Sequence, residues 1–132
     1  MEQYGSRPVV KAEFPYRSKP ELQIARLLKR NGTAYKYEHP MAVVDRARTR
    51  IWYPEFYLPE YGIIIEYFGV NGDAGYDERT KHKTEVYQDN GVQGLFLKED
   101  DLKGDWPTKV MGEIEDTLKS RVNRFHGRQK GG

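Results

Sequence analysis

One stretch constrains this chain more than any other: Ile63-Ile64-Ile65-Glu66-Tyr67-Phe68. It is apolar at successive positions, so as a strand it must be covered on both faces, which makes it the central strand of a sheet packed on two sides. A carboxylate inside such a strand is costly unless a partner meets it. Ionised carboxylates are almost never fully buried without one. Either Glu66 reaches solvent or an arginine at the strand end, or it belongs to a site.

The rest of the pattern supplies a frame for that strand. Ser18-Lys19-Pro20-Glu21 reads as a helix start, with Ser18 as N-cap, Pro20 in the tolerant first turn and Glu21 at the capping-box position. Leu22, Ile24, Ala25, Leu27 and Leu28 then recur at helical spacing, and Asn31-Gly32 stops the helix. Thr33 to Glu38 alternates and reads as a strand, ended by His39-Pro40. Arg50 to Leu58 is a second strand, interrupted by Pro54 at an edge, bend or bulge. The turn Pro59-Glu60-Tyr61-Gly62 makes a hairpin with the Ile63 strand.

A polar helix is expected from about Asp77 to Asp89, a short buried strand at Gly94 to Leu97, and a last helix from Pro107 to about Phe125. The order α, three strands, α, β, α predicts an α/β fold, a mixed sheet flanked by helices with a C-terminal helix. We divide the chain into an arm (1–17), a single domain (18–125) and a basic flexible tail (126–132).

Composition narrows the class. The 132 residues suffice for one core in one domain. With no cysteine there is no disulfide framework and no thiolate metal site. The start Met1-Glu2-Gln3-Tyr4 lacks the apolar segment of a signal peptide, and no apolar stretch approaches membrane-spanning length. A cytoplasmic protein with no membrane association is the expectation. The net charge of +2 hides an asymmetry: Lys119, Arg121, Arg124, Arg128 and Lys130 follow the last acid. Such an end suits a phosphate backbone, although a solubilising tail would have the same composition.

Glu55 gives Glu66 a context. It follows Pro54 on the preceding strand, and the hairpin brings the two glutamates onto neighbouring strands. Two adjacent carboxylates repel, and unaided one takes up a proton. A divalent cation with a preference for oxygen, Mg²⁺ with Mn²⁺ able to substitute, resolves the repulsion.

These residues resemble the PD-(D/E)XK nucleases, whose pattern is a proline and an acid on one strand, then an acid, any residue and a lysine on the next. Pro54-Glu55 and Glu66-Tyr67-Phe68 look like that hairpin. Tyr53 to Pro59 and Ile65 to Gly69 are similar to one branch, the small phage- and helicase-associated endonucleases, as is the helix opened by Ser18 to Glu21 before a Tyr-rich strand. The resemblance spans roughly residues 16 to 103. It implies a restriction-endonuclease-like fold with an αβββαβ core and Mg²⁺-dependent hydrolysis of DNA phosphodiesters by a phage- or virus-encoded protein. It implies Glu55 and Glu66 as metal ligands and Glu21 as a further site acid. Members of this size often act as homodimers on branched DNA, including Holliday junctions, in recombination and repair. No small-molecule cofactor is expected.

Two departures follow. Glu55 is one methylene longer than the usual aspartate. Phe68 stands where the lysine is expected, on the same face as Glu66. The family is known to move this lysine to the following helix, and Lys83 is the candidate, on one helix face with Tyr76, Arg79 and Tyr87. Lys81 and His82 point elsewhere. The catalytic set is then Glu21, Glu55, Glu66 and Lys83. The alternative is a non-catalytic nucleic-acid-binding module that kept the fold and lost the lysine.

DNA contacts are assigned to Arg46, Arg48 and Arg50, which project from one side if that segment is extended, and to Arg79, Lys81 and the C-terminal residues. Nothing resembles a base-reading helix or zinc finger, so recognition of DNA shape is expected. His39, His82 and His126 lack ligand spacing. Gly69, Gly72 and Gly75 are followed by no Gly-Lys-Ser/Thr, which excludes a phosphate loop. Trp52, Trp106 and most tyrosines are assigned to the core or its rim.

Overall fold

Ser18 opens the first helix as its sequence requires. Its backbone is extended and its hydroxyl accepts from the Glu21 amide at 3.3 Å. The computed structural model describes residues 15–69 and 74–131, with side chains for 15–69 and 78–122. Helix α1 (Lys19–Arg30) buries Ile24, Ala25, Leu27 and Leu28 on one face. The Asn31 side-chain amide donates to the Leu27 carbonyl at 2.9 Å and closes the helix.

The strands are β1 (Lys36–Tyr37), β2 (Met41–Asp45), β3 (Arg48–Trp52), β4 (Phe56–Leu58) and β5 (Ile63–Gly69). They are followed by α2 (Ala74–Asp89), β6 (Gln93–Lys98), a 3-10 turn (Glu99–Leu102) and α3 (Trp106–Gly131). One sheet has the order β1-β4-β5-β6, with β4 antiparallel and β6 parallel to the central β5. The β5–α2–β6 segment is the crossover that a parallel pair needs. The predicted α/β fold, a mixed sheet with flanking helices and a C-terminal helix, is the one observed.

The pleat of β5 splits the core in two. Ile63 and Ile65 join α1, Phe56, Leu58, Val110 and Ile114 in one buried cluster. Ile64 joins Val43, Val86 and Tyr87 in the other. Burying this strand on both faces explains its unbroken apolar run.

The segment between β1 and β4 corrects the sequence reading. The strand expected over Thr33–Glu38 is reduced to Lys36–Tyr37, because Glu38 turns the chain at φ +55°. The strand expected over Arg50–Leu58 is two strands in different sheets, because Pro54 has no amide for a ladder and the chain bends at Glu55. Strand β3 pairs instead with β2, a strand the sequence did not signal, in a separate two-stranded sheet. That hairpin lies on α2, where Asn90 bonds both backbone groups of Val44: Oδ1 accepts from its amide at 2.9 Å and Nδ2 donates to its carbonyl at 3.0 Å.

The ends also differ. Helix α2 begins at Ala74 rather than Asp77, and α3 continues to Gly131 rather than stopping near Phe125. Most of the expected N-terminal arm, residues 1–14, and the side chains of the basic tail lie outside the described residues. Within α3, the Arg121 guanidinium donates to the carbonyls of Tyr61 and Gly62 and to the Gln93 side chain, fastening the helix to the β4–β5 turn. Among the described residues, no helix is long and apolar enough to cross a membrane.

Candidate active site

The β4–β5 register sets the first distance that matters. Phe56 pairs with Ile65, so Glu55 and Glu66 occupy the next step of the two chains. The Glu55 carboxylate accepts the Tyr67 amide at 2.7 Å, which holds it against the strand that carries Glu66. Glu66 itself is 2% exposed. Following the pleat, it leaves β5 on the Ile64 side, toward α2. There Tyr87 donates to its Oε2 at 3.0 Å and Lys83 approaches its Oε1 at 3.5 Å.

Glu21 reaches the same place from α1. Its Oε1 accepts the Arg17 amide at 3.0 Å and the Tyr37 hydroxyl at 2.5 Å. The first bond resembles the reciprocal half of a capping box, moved one residue outward from Ser18. The Glu21 carboxyl is also close enough to Glu55 to raise its affinity for a proton. The sequence assigned Glu21 both a capping and a site position; its carboxylate meets the Arg17 amide and the Tyr37 hydroxyl.

The electrostatics follow from burial. Desolvation, then the hydrogen bond and charge of Glu21, push the Glu55 carboxyl up to about 9 from the usual carboxylate range, against the Tyr67 amide. The Glu66 carboxyl is also raised by burial, opposed by the Lys83 ammonium and the Tyr87 hydroxyl. Tyr37 and Tyr87 are raised by burial beside these acids and remain donors. The site thus holds three acids and one ammonium, and a proton on Glu55 relieves the repulsion.

That donor set has the chemistry a hard divalent cation requires: oxygen only, buried, and short of positive charge. Glu55 and Glu66 are the ligands it offers, with Glu21 adjacent. Among the described residues, no three acidic or imidazole groups already form a metal cage. In the present arrangement the acids are held by donors of the chain itself, Tyr37 on Glu21, the Tyr67 amide on Glu55, and Tyr87 and Lys83 on Glu66.

No protein-family model and no curated protein matches the chain. A solved structure does: the catalytic domain of the homing endonuclease I-Bth0305I, with 19% identity and a TM-score of 0.51, over 80% of this chain and 99% of that one. At this identity the likeness is one of fold, and it places this architecture beside that of an endonuclease catalytic domain.

The basic residues divide. Arg46 is not in a strand. It sits with Ala47 at the tip of the β2–β3 hairpin, at φ +53° and +65°, so the three arginines do not form one extended row as expected. Arg48 and Arg50 do share a face of β3, and Arg50 Nε lies 3.8 Å from Asp45 Oδ2. Arg79 and Lys81 are exposed on α2. Phe68, in the position of the expected lysine, stacks on Phe96 and carries Lys83 Nζ 5.7 Å from its ring centre. Residues the sequence did not single out are Tyr37 and Tyr87, which donate to the site acids, and Asp45, which pairs with His82 at 3.1 Å. Tyr87 had been named only as a neighbour of Lys83 on one helix face, and no local pattern tied Tyr37 to Glu21.

Proposed function

We propose that this protein is a Mg²⁺-dependent endonuclease that hydrolyses DNA phosphodiester bonds, with Mn²⁺ able to substitute, and that it acts on branched DNA. The observation that carries the reading is Glu66, 2% exposed in the central strand, with Lys83 3.5 Å from its carboxylate and Glu55 held against the same strand by the Tyr67 amide. Ionisable side chains from the β4 edge, β5 and α2 have no structural need to gather around a buried carboxylate. A fold like that of an endonuclease catalytic domain supports the same conclusion.

In this reading Glu55 and Glu66 hold the cation and Glu21 completes the donor set. When bound, the ion polarises the scissile phosphate and makes a nearby water more acidic. The chain's own residues prepare that site. The Tyr67 amide and the Tyr87 hydroxyl fix the Glu55 and Glu66 carboxylates before substrate arrives. Lys83, supported by Phe68, offers its ammonium to a non-bridging phosphate oxygen as negative charge grows there. Tyr37 keeps Glu21 turned toward Glu55. Arg48, Arg50 and Lys81 are exposed and suited to phosphates away from the bond that breaks.

Phe68 favours one other reading, a nucleic-acid-binding module that lost its chemistry with the motif lysine. A supercoiled-plasmid nicking assay in Mg²⁺, Mn²⁺ and EDTA separates the two. Nicking in either metal that stops in EDTA supports the nuclease. Salt-sensitive DNA binding without cleavage in any metal supports the module.

A further inference from the structure

Beside the acidic site lies a second concavity that the proposed chemistry does not use. A cavity of about 390 Å³ opens between the β2–β3 tip and α2, lined by Arg46, Trp52, Glu78, Arg79, His82 and Lys83. Three full positive charges against one acid suit an anion. The indole of Trp52 adds an apolar wall. It meets Tyr87 at 5.2 Å and a steep angle and is only half buried, so part of its surface is left to the cavity. Tyr87 bonds Glu66, and Lys83 borders both sites, so the cavity adjoins the acidic centre directly.

We infer that this cavity takes one unpaired nucleotide, its base against Trp52 and its phosphate among Arg46, Arg79 and Lys83. The inference rests on the nuclease reading for its biological sense, since it names the substrate of that site: a strand with an unpaired nucleotide next to the bond that is cut. The volume matches a single nucleotide, at the small end of ligand pockets. Base–aromatic stacking tolerates any base, which fits a chain with no base-reading element. A base held in a duplex cannot reach the indole without leaving its stack, so a bulge, flap or junction is favoured over continuous duplex.

The local structure holds this cavity open. Arg46 and Ala47 both adopt positive φ without being glycine, a sparsely populated conformation that persists only where the surroundings enforce it. The result aims Arg46 over the cavity. Below the turn, Asp45 Oδ2 binds His82 and lies near Arg50, while Asp45 Oδ1 is buried with no hydrogen-bond partner. Asn90, at the C-terminal end of α2, braces the neighbouring Val44. The hairpin therefore stands on α2 as a fixed wall.

The test needs no cleavage. In the full chain carrying Trp106→Phe, Trp52 is the sole indole, since the sequence has two tryptophans. Its fluorescence is titrated in EDTA with thymidine 5′-monophosphate and, separately, with inorganic phosphate. Saturable quenching by the nucleotide is expected, with phosphate at least roughly tenfold weaker and Arg79→Ala weakening the nucleotide. Absence of quenching, equal binding of phosphate, or indifference to Arg79→Ala overturns the inference. A parallel cleavage assay compares a duplex carrying a one-nucleotide bulge with the unbroken duplex. Nucleotide binding without cleavage in any metal supports the pocket and removes the nuclease reading. Cleavage with no quenching does the reverse.

Discussion

The Lys83 ammonium lies 3.5 Å from Oε1 of Glu66, although Glu66 is in the central strand and Lys83 on the helix that follows it. The pair is asymmetric: the glutamate side chain is 2% exposed and the lysine 41%. A lysine so placed neutralises a buried acid while keeping contact with solvent, where a substrate phosphate would arrive. Phe68, in the strand position where a lysine would serve the same purpose, presents its ring 5.7 Å from that ammonium.

Replacing that ammonium tests its role. Lys83→Met keeps most of the side chain's length and removes the charge. Single-turnover nicking should fall by about 10²–10³, the usual loss when one preorganised electrostatic contact is removed. DNA affinity at fixed salt should change by far less. A variant that nicks at the wild-type rate would remove Lys83 from the mechanism.

The raised Glu55 carboxyl makes a pH prediction. A carboxyl whose folded value lies above its unfolded one binds a proton more tightly when folded. Its stabilising effect is complete below the ordinary carboxylate range and is lost as pH rises through the folded value, here about 9. In EDTA the melting temperature should therefore fall steadily between about pH 5 and pH 9. Glu66, also raised, adds to the slope. Glu55→Gln should flatten that fall and melt above wild type at pH 8, by several degrees, at roughly 4 °C per kcal/mol for a domain near this size. Mg²⁺ should raise the wild-type value and leave the variant nearly unmoved. Parallel pH curves for the two proteins would contradict the assignment.

Asn90 carries the seam between the hairpin and α2. Besides its two bonds to Val44 it donates to the Val86 carbonyl at 2.7 Å. Asn90→Ala should cost about 1–2 kcal/mol in global stability. Its specific signature is local: amide exchange at Val44 should rise well before that of the β5 amides. Unchanged exchange at Val44 would show that the hairpin is held by its apolar face alone, through Val43 and Trp52.

How far the sequence anticipated this molecule depends on which interactions are local. Helix α1 was legible because Ser18, Pro20 and Glu21 cap it within one turn. The central strand was legible because three consecutive isoleucines must be covered on both faces. The family resemblance pointed to a lysine on the helix after β5, helical spacing selected Lys83, and its ammonium lies 3.5 Å from Glu66. The β2–β3 hairpin was not legible, since its tip, Arg46-Ala47, lacks the Asn-Gly or Asp-Gly signal that positive φ normally demands. Pro54 was seen, but as an interruption within a strand rather than a boundary between sheets. The partners of the acids, Tyr37 and Tyr87, and the Asp45–His82 pair depend on contacts 16 to 37 residues apart that no local pattern encodes.

Calorimetric titration of Mn²⁺ at pH 7.5, in two buffers of different ionisation enthalpy, tests the convergence of Glu55 and Glu66 on a shared cation most directly. Saturable binding is expected with release of about one proton per ion, because the ion displaces the proton that Glu55, raised to about 9, still holds at this pH, and Glu66→Ala should abolish it. Absence of saturable binding by the wild type, or equal binding by Glu66→Ala, would contradict it.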